Sequence, residues 1–236
     1  MRILVLGASS IVGRALAEEF AGGNTLVLTG RDARRLALTE SSCRQAGAVE
    51  AQSVVLDLSL GAGPLLDGIG ARTLDLIIDA ASASSATRDD DLTAGDLPAF
   101  VSADVLAKTA LLEGLLKRQG TAPAVILVSS VLARVRSPGR GVYASLKTLE
   151  EAYLRRMKAG RPDMRLLVVY VGTLIDRDRG SEKARTLAKA AARAFKGGRT
   201  VLFHGVGGLF YVGLFHVQPL LFLAFASLQR RLRRRP

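Results

Sequence analysis

The chain has 236 residues, 49% of them hydrophobic, and carries a formal net charge of +12. That length buries one sizeable core with little left for a second, and a single cysteine, Cys43, excludes an intrachain disulfide. Aromatic residues make up only 5% and are not interleaved with the basic ones, which argues against nucleic acid and leaves anionic lipid or phosphorylated ligands to meet the positive charge.

The N-terminal MRILVLGASS lacks the charged region, long apolar run and cleavage site of a signal peptide, so a cytosolic face is expected. Strand-like runs then follow in order: RILVLG, NTLVLTG, AQSVVLD, LDLIIDA, AVILVSS and MRLLVVYVG. Between them lie stretches of helical periodicity, IVGRALAEEF, ARRLALTE, FVSADVLAKTALLEGLLKRQG and YASLKTLEEAYLRRMKAG, with EKARTLAKAAARAF after the last strand. Strands that are almost continuous Val, Ile and Leu are buried on both faces, and their alternation with helices predicts a doubly wound parallel α/β sheet of Rossmann type. TRDDDLTAGDLP, residues 87–98, reads as a surface loop. The composition changes after residue 198, which divides a nucleotide-binding domain, 1–198, from a hydrophobic tail, 199–236.

The turn LVLGASSIVG stands between a strand and a helix. Gly7 allows the bend, Gly13 allows close helix–strand packing, and the free N–H groups around Ser9, Ser10 and Ile11 offer an anion site. The middle glycine of the usual dinucleotide fingerprint is replaced by Ser10 or Ile11, so the turn alone also suits an ordinary βα connection. The second strand ends in Gly30-Arg31, where an NAD site would carry a carboxylate for the ribose 2′-OH. Arg31, with Arg34 and Arg35 beyond it, suits a 2′-phosphate and so favours NADPH; the plainer reading is a solvated helix start. Asp57, just past the third strand, is placed to accept from an adenine amino group. Tyr143 and Lys147 are four residues apart and so share one helix face, and Ser130 closes a strand thirteen residues before the tyrosine. The three can converge at the carboxyl edge of the sheet. His204 and His216 have no partner spacing for a metal, and no metal site is expected.

On these residues the chain, over about residues 1–198, resembles the short-chain dehydrogenase/reductases. The resemblance implies that Tyr143 protonates the substrate oxygen as hydride arrives, that Ser130 hydrogen-bonds that oxygen, and that Lys147 binds the nicotinamide ribose and assists the tyrosine through its charge. Ser129 is one residue out of the family spacing. Asp57 and Leu58 would border adenine, Ala80, Ala81 and Ser82 would stand where the family has an Asn-Ala-Gly turn, and Gly172 would follow the sixth strand. Three departures stand out: Asp104 for the helix asparagine that supports a proton relay, Val171-Gly172 for Pro-Gly, and the altered turn. They keep a non-catalytic NADP(H) binder as the alternative.

Residues 200–228 contain no Asp, Glu, Lys or Arg, and Arg230, Arg231, Arg233, Arg234 and Arg235 follow. A run this long implies lipid, although a buried core or dimer interface would also absorb it. Pro219 leaves each half short of about 20 residues, so a monotopic or re-entrant anchor on an anionic membrane surface, with the domain on the cytoplasmic side, fits better than one spanning helix. The turn, the YxxxK pair and the arginine-ended tail together resemble the decaprenylphosphoryl-2-keto-β-D-erythro-pentose reductase branch of the family. That implies a lipid-linked keto-sugar substrate in cell-wall biosynthesis, with a homo-oligomer or a partner oxidase possible; another lipid ketone, keto-acyl or steroid-like, is the rival.

Overall fold

The computed structural model describes residues 1–70, 72–134, 139–172 and 180–204. Strands β1 (Arg2–Leu6), β2 (Thr25–Gly30), β3 (Glu50–Val55), β4 (Leu76–Asp79), β5 (Ala124–Ser130), β6 (Leu166–Val171) and β7 (Val201–His204) form one sheet in the order β3-β2-β1-β4-β5-β6-β7. Every neighbouring pair is parallel. The winding reverses between β1 and β4, and at such a switch point the carboxyl ends of the strands splay apart to leave a crevice.

Alternate residues of each strand serve opposite layers, which is why the central strands are mostly Val, Ile and Leu. Ile3, Val5, Leu28, Ile78, Ile126 and Val169 pack with Leu16 and Phe20 of α1 (Ile11–Glu19), Leu36 of α2 (Ala33–Gln45) and Leu187 and Phe195 of α7 (Gly180–Lys196). Phe20 and Phe195 meet edge to face, with ring centroids 6.2 Å apart. Leu4, Leu6, Ile77, Leu127, Val168 and Tyr170 point the other way. They meet Leu65 and Ile69 of α3 (Gly63–Ile69), Leu111 and Leu115 of α5 (Ala107–Gln119), and Leu154 and Met157 of α6 (Gly141–Ala159). Cys43 lies inside the first layer, and burial, with Glu18 adding to it, pushes its thiol up to about 12, so it is a packing residue rather than a nucleophile.

Three features depart from the expectation. The short α3 forms in a Gly- and Pro-containing stretch because Pro64 falls in its first turn, where no backbone donor is lost. The stretch 87–98 is not all loop: α4 (Asp96–Val101) begins inside it and runs through a π-helical turn, Ser102–Leu106, into α5. The sheet also continues past residue 198. Val168 to Val171 pair with Val201 to His204, so residues 201–204 belong to the nucleotide-binding sheet and not to a separate tail. Residues 205–236, with the rest of the expected anchor, lie outside the described residues; among those described, no helix is long and apolar enough to cross a membrane.

Candidate active site

The floor of the crevice is made of close backbone approaches. Gly7 has φ +76°, and a Cβ there would lie 2.8 Å from Ala80 O and from Ala81 N and Cα. A Cβ on Gly13 would sit 2.1 Å from the Gly7 carbonyl oxygen. These two glycines therefore let β1, the end of β4 and α1 close on one another. Ser10 caps α1, its Oγ accepting from Gly13 N–H at 2.9 Å, while its own N–H donates to the Gly7 carbonyl at 2.9 Å.

The cleft above this floor encloses about 960 Å³. At its β2–β3 end stand Arg31, Arg35, Asp57 and Leu58; in the middle are Gly7, Ser9, Ser10, Ala80, Ala81 and Ser82; at the β5–β6 end are Ser130, Tyr143, Lys147 and Gly172, with Asp104. The sequence-derived candidates thus share one cavity except Arg34, Ile11 and Gly13. Ile11 is 60% exposed and its side chain is not part of the lining, because as the first residue of α1 it points to solvent. Gly13 is buried under the turn and acts through packing. The stretch after Gly172 expected to close the pocket, 173–179, lies outside the described residues.

At the nucleotide end, Gly30 bears no side chain for a spatial reason as well as an electrostatic one: a Cβ would fall 2.5 Å from Ser9 Oγ. Asp57 accepts from Ser59 N–H at 2.9 Å; the backbone and side chain of Ser59 lower its carboxyl below the usual range, and Arg31 lowers it further. Asp57 is thus committed to its own turn through Ser59 while it also lines the cleft.

At the chemical end, Ser130 Oγ accepts from Leu132 N–H at 3.2 Å, which leaves its own O–H to donate. Ser129 also lines the cleft, and its buried Oγ has no partner among the described residues. The first turn of α6 is held by the stretch read as loop: Asp89 accepts from Gly141 N–H at 2.5 Å and Val142 N–H at 3.1 Å. Arg140, donating to the Thr87 carbonyl at 3.2 Å, lies 4.9 Å from the centroid of the Tyr143 ring and fixes that ring's face.

Asp104 does not do what its position in the family pattern implied. Its buried carboxylate accepts from Ser82 Oγ (3.1 Å), Ala83 N–H (2.6 Å), Ser84 N–H (3.2 Å) and Ser84 Oγ (2.6 Å), so it fastens the turn after β4 rather than reaching Lys147. The carboxylate on Lys147 is Glu150, with Oε2 2.9 Å from Nζ; the Ala81 carbonyl is 3.4 Å away. Glu150 Oε1 accepts from Lys108 Nζ at 2.6 Å, and Lys108 also meets Asp79 Oδ1 at 3.0 Å and the Ala81 carbonyl at 2.8 Å. All four side chains are at most 6% exposed. Sequence reasoning missed this quartet. Its one signal was spacing, since Lys108 falls on the same α5 face as the buried Leu111, Leu112 and Leu115.

A family model described as short chain dehydrogenase matches residues 1–171. No curated protein matches in sequence. Among solved structures, the chain is similar to a short-chain dehydrogenase from Streptomyces avermitilis, with 18% identity, 97% of each chain covered and a TM-score of 0.77. It is also similar to a short-chain dehydrogenase from Sphingobium yanoikuyae in complex with NADPH (20% identity, 100% of this chain and 96% of that one, TM-score 0.74). A third is a 3-oxoacyl (acyl-carrier-protein) reductase from Agrobacterium tumefaciens with NADP bound (21%, 86% and 92%, TM-score 0.72).

Proposed function

Since the chain belongs to the short-chain dehydrogenase family, and is thereby an NAD(P)-dependent oxidoreductase, we propose that it is an NADPH-dependent ketoreductase acting on a lipid-borne ketone at the cytoplasmic face of the membrane. The observation that carries the chemistry is that Ser130, Tyr143 and Lys147 share one cleft with the Gly7 turn and Arg31. The cavity fits a dinucleotide: glycine-lined backbone at Gly7, guanidinium groups of Arg31 and Arg35 at the end where a 2′-phosphate would lie, and Asp57 and Leu58 beside them. NADPH supplies hydride to the carbonyl carbon when bound. Tyr143 gives its proton to the carbonyl oxygen, and Ser130, its lone pair already engaged by Leu132, donates a hydrogen bond to that oxygen. Lys147 contributes a buried positive charge one turn along the helix from the tyrosine.

The lipid reading rests on the register of β7. His204 pairs with Val171, and Val171 and Gly172 line the cleft, so the last described residue before the rest of the charge-free run stands beside the β6 end of the cleft. With five arginines following, docking on an anionic membrane would turn that end toward lipid, and a polyprenyl-phosphate keto-sugar is the substrate class the tail pattern favours. A non-catalytic NADP(H) binder is the second reading, favoured by the ion pair that engages Lys147. Turnover of NADPH with extracted polyprenyl-phosphate keto-sugars and a panel of lipid ketones, in detergent, tests the assignment. Tyr143→Phe should cut kcat by about 10²- to 10⁴-fold while leaving NADPH binding intact; undiminished turnover in that variant refutes it.

A further inference from the structure

Lys108, Glu150, Asp79 and Lys147 are buried together, and burying ion pairs is a poor way to gain stability: well-packed apolar side chains of similar volume do as well or better. Lys147, one helical turn from Tyr143 and lining the same cleft, points to another purpose. Each reduction takes the Tyr143 proton, and the phenolate must be recharged before the next. Asp104, the group at the relay position of the family pattern, is fully occupied by the 82–84 turn.

We propose that Asp79 and Glu150, bridged by Lys108, are positioning residues that form an internal proton store for Lys147, and through it for Tyr143; this rests on the ketoreductase reading above. The steps balance without any redox partner. Tyr143 O⁻ takes a proton from the Lys147 ammonium, one N–H bond breaking as one O–H bond forms. Lys147 then takes the proton shared by the two carboxyl groups through Glu150 Oε2. The carboxylate pair regains its proton from water.

Three observations support the route. The contact from Lys147 to Glu150 is 2.9 Å, and Asp79 Oδ1 and Glu150 Oε1 meet on the same Lys108 Nζ, at 3.0 and 2.6 Å. A cavity of about 20 Å³, room for one water, adjoins both carboxyl groups and is lined by Lys108, Thr109 and the partly exposed Tyr153. The two acids are also driven apart. Burial raises Asp79 most, Lys108 offsets part of this, and Glu150 raises it again, leaving it at about 7; for Glu150 burial is outweighed by Lys108 and Lys147, which pull it down. The charged and titratable groups facing the pair are Lys108 from α5 and Lys147 and Tyr153 from α6, and Asp104 from the π-turn acts on Lys108. With both acids ionised the quartet is neutral, so one added proton leaves a single positive charge beside the cleft.

The test uses full-length protein with ¹³C-carboxyl aspartate and glutamate and ¹⁵N-lysine, as wild type, Asp79→Asn and Glu150→Gln. In wild type a carboxyl resonance should titrate between about pH 6 and 8, with the Lys147 ¹⁵Nζ shift following the same curve, and kcat at saturating NADPH and ketone should fall toward tenfold per pH unit above that range. Asp79→Asn should abolish the titration and flatten the profile, with kcat at pH 6 about 10-fold lower and NADPH affinity, read by fluorescence, within about twofold. Glu150→Gln, which keeps shape and an acceptor for Lys108, should decouple the Lys147 shift from the carboxyl curve. A wild-type protein with no carboxyl titrating in that window, or an Asp79→Asn variant with the wild-type pH profile, overturns the relay. If wild type reduces no ketone, the ketoreductase assignment falls, and the Asp79 titration, read together with the Lys147 ¹⁵Nζ shift, still decides the store on its own.

Discussion

Gly7→Ala isolates the contact on which the cofactor cleft is built. An alanine at φ +76° costs about 1–2 kcal/mol for its left-handed backbone alone. Its Cβ would also lie 2.8 Å from three atoms of Ala80 and Ala81, all backbone, so the end of β4 must move; overpacking of this kind adds about 1–3 kcal/mol. The sum, about 2–5 kcal/mol, is a large share of the 5–15 kcal/mol typical of a folded domain and corresponds to a fall in Tm of about 4–20 °C for a chain of this length. Gly23→Ala is the matched control, with φ +70° and nothing within 4 Å of the added Cβ, so it should show only the backbone cost. Thermal unfolding followed by circular dichroism gives both numbers, and NADPH fluorescence titration reads the cleft. Gly7→Ala should lose more Tm than Gly23→Ala and should alone weaken NADPH binding. Equal losses in the two variants, with binding unchanged, would refute the reasoning that the β1 turn is packed against β4.

Arg31→Glu should weaken NADPH by about 10- to 150-fold, the worth of one or two charge-assisted contacts, and leave NADH much less affected; parallel losses for both nucleotides would argue against a 2′-phosphate site. Lys108→Met strands two buried carboxyls with one cation and should cost about 3–5 kcal/mol at pH 8. Without Lys108 those carboxyls titrate higher in the folded protein, so the folded state binds more protons than the unfolded one and stability falls as pH rises. Urea unfolding should therefore show a smaller penalty at pH 5.5 than at pH 8, and equal penalties would contradict this. Removing residues 205–236 should move the protein from the membrane fraction to the soluble one; full-length protein that is soluble without detergent would refute the anchor.

What the sequence disclosed and what it hid follow from the range of the interactions. Strands such as LIID and LLVVYV are buried on both faces, so their two-sided environment is written in each residue, and the Gly7 and YxxxK motifs are local. β7 was less visible: VLFH is an equally apolar strand, but it runs into a charge-free stretch that has no edge in composition, and only its pairing with β6 marks it. The motif placed Ile11 at the turn through its backbone N–H, and it does not say which way a side chain points from the first turn of a helix. The Asp79–Lys108–Glu150 cluster joins residues on three elements, with Lys108 and Glu150 separated by 42 in sequence, and no local pattern announces such a meeting. Asp104 shows the same limit: its alignment was legible, but its commitment to the 82–84 turn was not.

The pairing of His204 with Val171 bears on how turnover would be measured. A cleft whose mouth opens onto a bilayer draws its ketone by lateral diffusion, so its effective concentration is a mole fraction in the surface and not moles per litre. On the proposed reading, diluting an assay at constant lipid composition would leave the rate per enzyme unchanged, whereas adding inert phospholipid would slow it in proportion.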